Sequence, residues 1–512
     1  MTPLDPLLSS DGLRAVDQAT MSDWGVPGRV LMETAGRAAT QEIAARYAVA
    51  DRRVTVLAGT GNNGGDALVV ARELARLGAI VHTVAPPASS HSGDRAANLA
   101  LLSRLADGSD RISFSETPPP ADLVVDGVLG IGATGDLRAP ARELCAWANR
   151  QRAPVVALDV PSGLDATTGA APDDAVEADL TVTFGAIKTG LVLREGPRLA
   201  GELVTVDIGF PERVVASHAR AWRTTTAWVA ARLPRRAHDA HKYSAGTAAC
   251  VVGSRRYTGA AVLSTAAAYR AGAGAVVACT TRSARATIDA ANPEVMVRTY
   301  ADTDRGTIGL DARDRIGAHL RDADAALIGC GLGSAEETRT LARDLTLHTP
   351  TPVVLDADGL GAFAGRANDL AERAGPLVMT PHLGEYRRLI GDSSFQPDDL
   401  VETVREAAAR WDAVVVLKGM PSVVGAPDGR VIVGPPGRPA LATAGSGDVL
   451  AGTTVGLLAQ GLDAVDAAAC ALALGAAAVD ALIKDRQLAR GGAGLVASDI
   501  AGALPSAFAR FA

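Results

Sequence analysis

The stretch Val54-Thr-Val-Leu-Ala-Gly-Thr-Gly-Asn-Asn-Gly-Gly-Asp66 decides how the first half of this chain folds. An apolar run ends in a glycine-rich turn and a helical pattern follows over 66–77, the strand–turn–helix step of a parallel α/β sheet. Short apolar runs at 80–85, 123–126, 154–160, 180–184 and 203–208 repeat that step. The run Val155-Val-Ala-Leu stays apolar until Asp159, as a strand buried on both faces does. A second series begins at 247–252 and continues through 275–280, 325–329, 352–356, 377–380 and 414–417, with no fixed-period repeat. Between the two, 212–236 holds scattered arginines, three consecutive threonines and Pro234 without a clear strand, which places a linker near 213–221 and domains over 1–216 and 217–512.

Bulk properties agree with two domains. At roughly 100 to 200 residues per domain, 512 residues exceed one core, and 48% hydrophobic with 21% charged residues is a globular composition. Only 4% are aromatic, so Val, Leu, Ile and Ala must fill the interior. A net charge of −7 argues against nucleic acid as a partner, although Arg232, Arg235, Arg236 and Lys242 form a local basic group suited to phosphate. The cysteines, Cys145, Cys250, Cys279, Cys330 and Cys470, make no C-x-x-C pair and read as free thiols of a reducing, cytoplasmic setting. No secretory signal is expected in Met1 to Gly12. The Ala- and Leu-rich stretch 451–483 is interrupted by Gln460, Asp463, Asp466 and Asp480, so it reads as a buried helix pair and not as a membrane span.

Two glycine-rich turns carry the chemistry. Gly59-Thr-Gly-Asn-Asn-Gly-Gly-Asp66 and Ala444-Gly-Ser-Gly-Asp448 each open a helix, where free amides and the helix dipole favour an anion. Glycines there permit positive φ and close backbone approach. The plainer reading makes Asp66 and Asp448 simple N-caps. Against it, Asp126 and Asp159 also end strands and lead into Gly127-Val-Leu-Gly-Ile-Gly-Ala-Thr-Gly-Asp136 and Val160-Pro-Ser-Gly-Leu-Asp165, so three polar loops share one sheet edge. Lys188 follows a strand into that edge, at a position where lysine is ordinarily a surface residue.

Leu31-Met-Glu-Thr-Ala-Gly-Arg37, Gly61-Asn-Asn-Gly-Gly-Asp66, Asp126-Gly-Val-Leu-Gly130 and Asp159-Val-Pro-Ser-Gly-Leu164 together resemble the NAD(P)H-hydrate epimerase family. That resemblance implies a Rossmann-like α/β domain acting on NADHX and NADPHX, cofactors in which water has added to C6 of the reduced nicotinamide ring. Asn62, Asn63, Gly64, Gly65 and Asp66, the run Gly130, Ile131, Gly132, Ala133, Thr134, Gly135 and Asp136, and Asp159 would then contact substrate. Asn63, Asp126 and Ser162 would ligate potassium, for which oxygen donors are suitable. Asp159 is the first catalytic candidate, with Lys188 assisting.

Val416-Leu-Lys-Gly-Met-Pro-Ser422 followed by Ala442-Thr-Ala-Gly-Ser-Gly-Asp-Val-Leu-Ala-Gly452 resembles ribokinase-like enzymes. Physically, the amides of 445–447 suit a transferring phosphoryl group, and Asp448 suits the proton of the accepting hydroxyl. His241-Lys-Tyr-Ser-Ala-Gly246, Tyr257-Thr-Gly-Ala-Ala261, Asn292-Pro-Glu294, Gly331-Leu-Gly333, Asp356-Ala-Asp358 and Thr380-Pro-His-Leu-Gly-Glu385 narrow the likeness to ADP-dependent NAD(P)H-hydrate dehydratase. It implies that Ala260, Gly333, His382 and Asp448 contact the hydrate. Lys418, Gly419, Met420, Pro421, Ser422 and Gly447 would hold ADP or ATP, with magnesium on the phosphates. Cys330, in Ile328-Gly-Cys-Gly-Leu-Gly333, departs from the family, which usually has proline between Gly329 and Gly331. Two other readings are a kinase for a vitamin or sugar alcohol with a non-catalytic N-terminal binding domain, and an interaction module like the epimerase-like domains of messenger-RNA decapping scaffolds. Exposed α/β edges are compatible with a homo-oligomer.

Overall fold

The computed structural model describes residues 4–86, 93–239, 241–488 and 490–512, so Met1, Thr2 and Pro3 of the N-terminal stretch lie outside the described residues. The chain forms two compact units, one of Asp5–Ala221 and one of Trp222–Ala512 with Leu4.

In the first unit seven strands form one sheet in the spatial order Ile112–Phe114, Ile80–Val84, Arg53–Ala58, Leu123–Gly127, Val155–Leu158, Leu180–Phe184, Glu202–Val206. Every neighbour pair is parallel. Chain order reverses between Arg53–Ala58 and Leu123–Gly127, and in such sheets ligands collect at the strand C-terminal ends beside that switch point. All six expected runs are strands. The central ones are buried along their length, which is why they lack a period-two pattern.

The helix after the first strand spans Asn62–Arg76, with Gly61 as N-cap, so the Asn-Asn-Gly-Gly segment is its first turn and not a loop. Asp66 therefore lies inside the helix and is no cap. The glycines serve close approach instead of positive φ: a Cβ on Gly64 would stand 2.1 Å from the Gly59 carbonyl oxygen, and one on Gly59 would stand 1.8 Å from that of Val128. Two glycine backbones and the Val128 carbonyl are thereby stacked at the strand ends.

The second unit carries the parallel strands Met296–Tyr300, Ala275–Thr281, Thr247–Val251, Ala325–Ile328, Val353–Leu355, Leu377–Met379 and Val414–Leu417, in that spatial order. An antiparallel pair, Val423–Gly425 and Val431–Val433, extends it, and Ala221–Arg223 adds in parallel at the edge. The expected strandless segment 212–236 thus holds a helix, Glu212–Ser217, that edge strand and a second helix, Thr226–Arg232. A three-residue strand is too short to show a period, and the threonines supply a cap, Thr225 accepting from the Trp228 amide at 3.0 Å.

The Ala- and Leu-rich stretch is a helix pair, Ser446–Ala459 and Ala464–Asp485, with Asp463 capping the second by accepting from the Val465 and Asp466 amides. Ala464–Asp485 is long and apolar enough to cross a membrane by length and composition, and two thirds of its apolar window is buried within the protein. All five cysteines are free and buried. Arg232 is engaged internally, paired with Asp466 at 2.9 Å and lying over the Trp228 ring, so it does not add to an open basic group.

Candidate active sites

In the first unit the strand-end residues gather in two linked groups. Asp126, fully buried, accepts from the Ser162 hydroxyl at 2.7 Å and the Ser162 amide at 2.9 Å. The Ser162 oxygen in turn accepts from the Leu129 amide at 2.8 Å. Asn63 donates its side-chain amide to the carbonyls of Leu129 at 2.7 Å and Leu158 at 3.0 Å, leaving its buried Oδ1 without a hydrogen-bond partner among the described residues. Asn63, Asp126 and Ser162 therefore meet around Leu129, and an orphaned carbonyl oxygen beside a carboxylate and a hydroxyl fits a hard cation. Gly130 backs onto Asn63, where a Cβ would stand 3.1 Å from the Asn63 Cβ, and 131–136 continues as a largely exposed loop.

Asp159 adopts φ 64°, a left-handed conformation that Asp tolerates better than most residues. Its carboxylate accepts from the Phe184 amide at 3.0 Å and forms a short ion pair with Lys188. Lys188 is fully buried, donating also to Thr183 Oγ1 at 3.0 Å and the Phe184 carbonyl at 2.9 Å, so the surface reading of this residue is wrong. Its ammonium is sealed from solvent behind Asp159, which keeps an 11% exposed side chain. Burial lowers the Lys188 pKa, against the pull of Asp159 and Asp66. Asp66, also buried, is pushed well above the usual carboxylate range, by burial first and then by Asp159 and Asp17. Among the described residues Asp66 forms no ion pair.

In the second unit Asp356, at the end of Val353–Leu355, is the hub. Its carboxylate accepts from Lys418 Nζ at 2.8 Å, the Thr380 hydroxyl at 2.7 Å and the Cys330 thiol at 3.6 Å. Lys418 also lies 3.6 Å from Glu385. Burial opposes the Lys418 charge, but Asp356 and Glu385 outweigh it and raise the lysine pKa. Asp448 stands in the first turn of Ser446–Ala459 behind the left-handed N-cap Gly445, φ 90°, so Asp448 is no N-cap either. Its pKa is pushed up to about 6, by burial first and the Asp356 charge second. At Gly447 a Cβ would stand 3.4 Å from Lys418 Nζ and 4.0 Å from Asp356 Oδ2, so the missing side chain leaves a cradle beside the lysine.

The remaining expected residues surround this hub. Gly333 donates its amide to Asp358 at 2.8 Å, and Ala260 backs onto Gly331, where a Cβ would stand 2.9 Å from the alanine Cβ. His382 caps the helix Leu383–Ile390, its Nδ1 accepting from the amides of Gly384 at 3.0 Å and Glu385 at 3.2 Å. That assigns the proton to Nε2 on a 53% exposed side chain. Gly419 and Met420 are exposed, Pro421 is buried, and Ser422 bonds the backbone of its own loop. Sequence reasoning did not place Asp356, Thr380, Glu385 or Cys330 in the site. Asp356 carried the same signal as Asp126 and Asp159, an acid ending an apolar strand.

Residues 28–190 match the family model described as YjeF-related protein N-terminus, and residues 248–500 match NAD(P)H-hydrate dehydratase. A protein from Salinibacter ruber named bifunctional NAD(P)H-hydrate repair enzyme Nnr is 45% identical over 93% of this chain and 92% of its own length. Another of that name, from Moorella thermoacetica, is 36% identical over 98% and 96%. A solved Bacillus subtilis ADP/ATP-dependent NAD(P)H-hydrate dehydratase, co-crystallised with ATP and Mg2+, is 32% identical with a TM-score of 0.48, covering 56% of this chain and 98% of that one. With both halves matched and such identity along nearly the whole length, the chain belongs to the family of bifunctional NAD(P)H-hydrate repair enzymes.

Proposed function

We propose that the N-terminal unit interconverts the R and S epimers of NADHX and NADPHX and that the C-terminal unit dehydrates the S form at the expense of ADP or ATP. The observation that carries this reading is Asp448, a carboxyl with a pKa near 6 at a helix start, beside the bare Gly447 and the Lys418–Asp356 pair.

In the first site the C6 hydroxyl leaves as water, the ring nitrogen lone pair forms an iminium-like ion, and water returns to the other face. Asp66, raised toward its protonated form, supplies the proton to the departing hydroxyl, and Asp159 stabilises the cation while Lys188 holds it in place. Asn63, Asp126 and Ser162 would hold potassium, which when bound supplies positive charge for the substrate pyrophosphate.

In the second site Asp448 takes the proton of the C6 hydroxyl as its oxygen attacks the terminal phosphoryl group of the nucleotide. The amides of 445–447 and Lys418 receive the transferring oxygens. Phosphate then leaves C6 with loss of a proton from the neighbouring carbon, restoring the dihydronicotinamide. Hydroxide leaves poorly and phosphate well, which is why a kinase-like fold serves a lyase. Magnesium, carried on the nucleotide phosphates, supplies charge neutralisation when bound. The free cysteines suit a cytoplasmic enzyme.

The test is recovery of dihydronicotinamide absorbance from a mixed R/S hydrate with ADP and magnesium. Asp159→Ala stalls once the S fraction is consumed, and Asp448→Ala recovers nothing. Full recovery by both variants overturns the assignments.

A further inference from the structure

Cys330 lies in the loop after the strand Ala325–Ile328 and is wholly buried. Its Sγ donates to Asp356 Oδ2 at 3.6 Å, and Sγ with one oxygen from each of Asp356 and Asp448 all lie within 4.8 Å of one another. Burial, then the charges of those two carboxylates, push the thiol pKa well above its usual range, so the sulfur keeps its proton and acts as a donor. The backbone holds the residue there independently of the thiol. Gly329, φ 138°, and Gly331, φ 69°, flank it, and a Cβ on Gly329 would stand 1.8 Å from the Asp356 carbonyl oxygen.

The buried Asp356 and the half-buried Asp448 repel each other across a short gap, and Lys418 is committed to Asp356. We propose that Cys330 is a positioning residue for dehydration, its S–H lodged between Asp356 and Asp448 so that Asp448 stays oriented and available as the base. This rests on reading Asp448 as that base. The groups facing Asp448 are Asp356 and Asp358 from the loop after Val353–Leu355, Lys418 from the end of Val414–Leu417, and Cys330. Asp356 and Asp358 oppose the Asp448 charge, whereas Lys418 and the thiol favour it. Removing the thiol proton therefore makes the base harder to ionise.

The experiment follows dehydration of the S hydrate by the full-length chain, with ADP and magnesium, from about pH 5 to pH 8. Cys330→Ala is expected to move the acid limb of kcat upward by about one pH unit, with KM for ADP and the epimerisation rate unchanged. Cys330→Ser, which restores a donor, returns the limb toward its original position. Cys330→Val, which fills the thiol's volume without donating, repeats the alanine result should a cavity unfold the domain. A limb unmoved in both Cys330→Ala and Cys330→Val, or a kcat lowered equally at every pH and not rescued by serine, overturns the proposal in favour of packing alone. Asp448→Asn separates the two ideas. If that variant still dehydrates, the base assignment itself fails. If it is dead while the Cys330 variants keep the wild-type limb, only the role of the thiol falls.

Discussion

Both sites place a lysine on one aspartate and leave a second aspartate without an ion pair among the described residues, but the lysines differ. In the N-terminal unit Lys188 holds Asp159, and Asp66 is the carboxyl left with a raised pKa. In the C-terminal unit Lys418 holds Asp356, and Asp448 is the one left. Lys188 is sealed from solvent, whereas 19% of the Lys418 side chain remains open and Glu385 shares its charge. The first lysine is thus a sealed counter-charge behind Asp159, and the second keeps part of its side chain open to solvent. In each unit the carboxyl that the lysine does not hold is the one that burial raises above the usual carboxylate range.

The largest effect is expected from Asp448→Asn. Dehydration is expected to fall by about 10³-fold or more, with epimerisation intact. The sign of its stability effect follows from the raised pKa: folding disfavours the ionised carboxyl, so above about pH 6 the charge costs stability and the amide relieves it. The melting temperature of the C-terminal unit should rise by about 2–4 °C. An inactive but destabilised variant contradicts that accounting.

Lys188→Met comes next, because it strands Asp159 as a buried charge at a cost of about 3 kcal/mol. Chemical denaturation checks this, and adding Asp159→Asn should recover most of the loss. A single variant as stable as the parent removes Lys188 as a counter-charge. Asp66→Asn mimics the protonated acid in shape but cannot release a proton, so epimerisation should fall by about 10²-fold without loss of fold. The slow phase of recovery from an R/S mixture reports it.

A smaller effect separates the sites by pH. Dehydration should decline as pH falls through about 6, where Asp448 gains its proton, and epimerisation should not follow the same limb. The smallest expected effect is ionic: replacing potassium with tetramethylammonium should slow epimerisation and leave dehydration from S hydrate unchanged. Equal slowing of both would detach Asn63 Oδ1 from cation binding.

Much of this was legible in the chain. Twelve apolar runs located twelve of the fourteen strands in the two parallel series, because strands buried on both faces need continuous Val, Leu, Ile and Ala, whereas the outermost strands Ile112–Phe114 and Met296–Tyr300 lack such a run. Acids ending those runs pointed to Asp126 and Asp159, and glycine-rich turns pointed to Asp66 and Asp448. Short edge strands such as Ala221–Arg223 were not legible, since three residues carry no period. The helix start at Asn62 was missed because its glycines are poor helix formers locally, and only stacking on Gly59 makes their missing side chains necessary. Asp356 ends an apolar run as Asp126 and Asp159 do, but its weight in the site comes from three donors drawn from separate strands and loops, which the sequence does not show.

Local pattern therefore determined the two-unit α/β architecture, the strand ends at which ligands collect and the residue types that wait there, since periodicity and turn chemistry act over a few residues. Which aspartate each lysine neutralises was decided only by tertiary structure. Lys188 reaches Asp159 across 29 positions and Lys418 reaches Asp356 across 62. Such charges become partners only when a sheet brings distant loops to one edge and burial removes the water that would otherwise screen them.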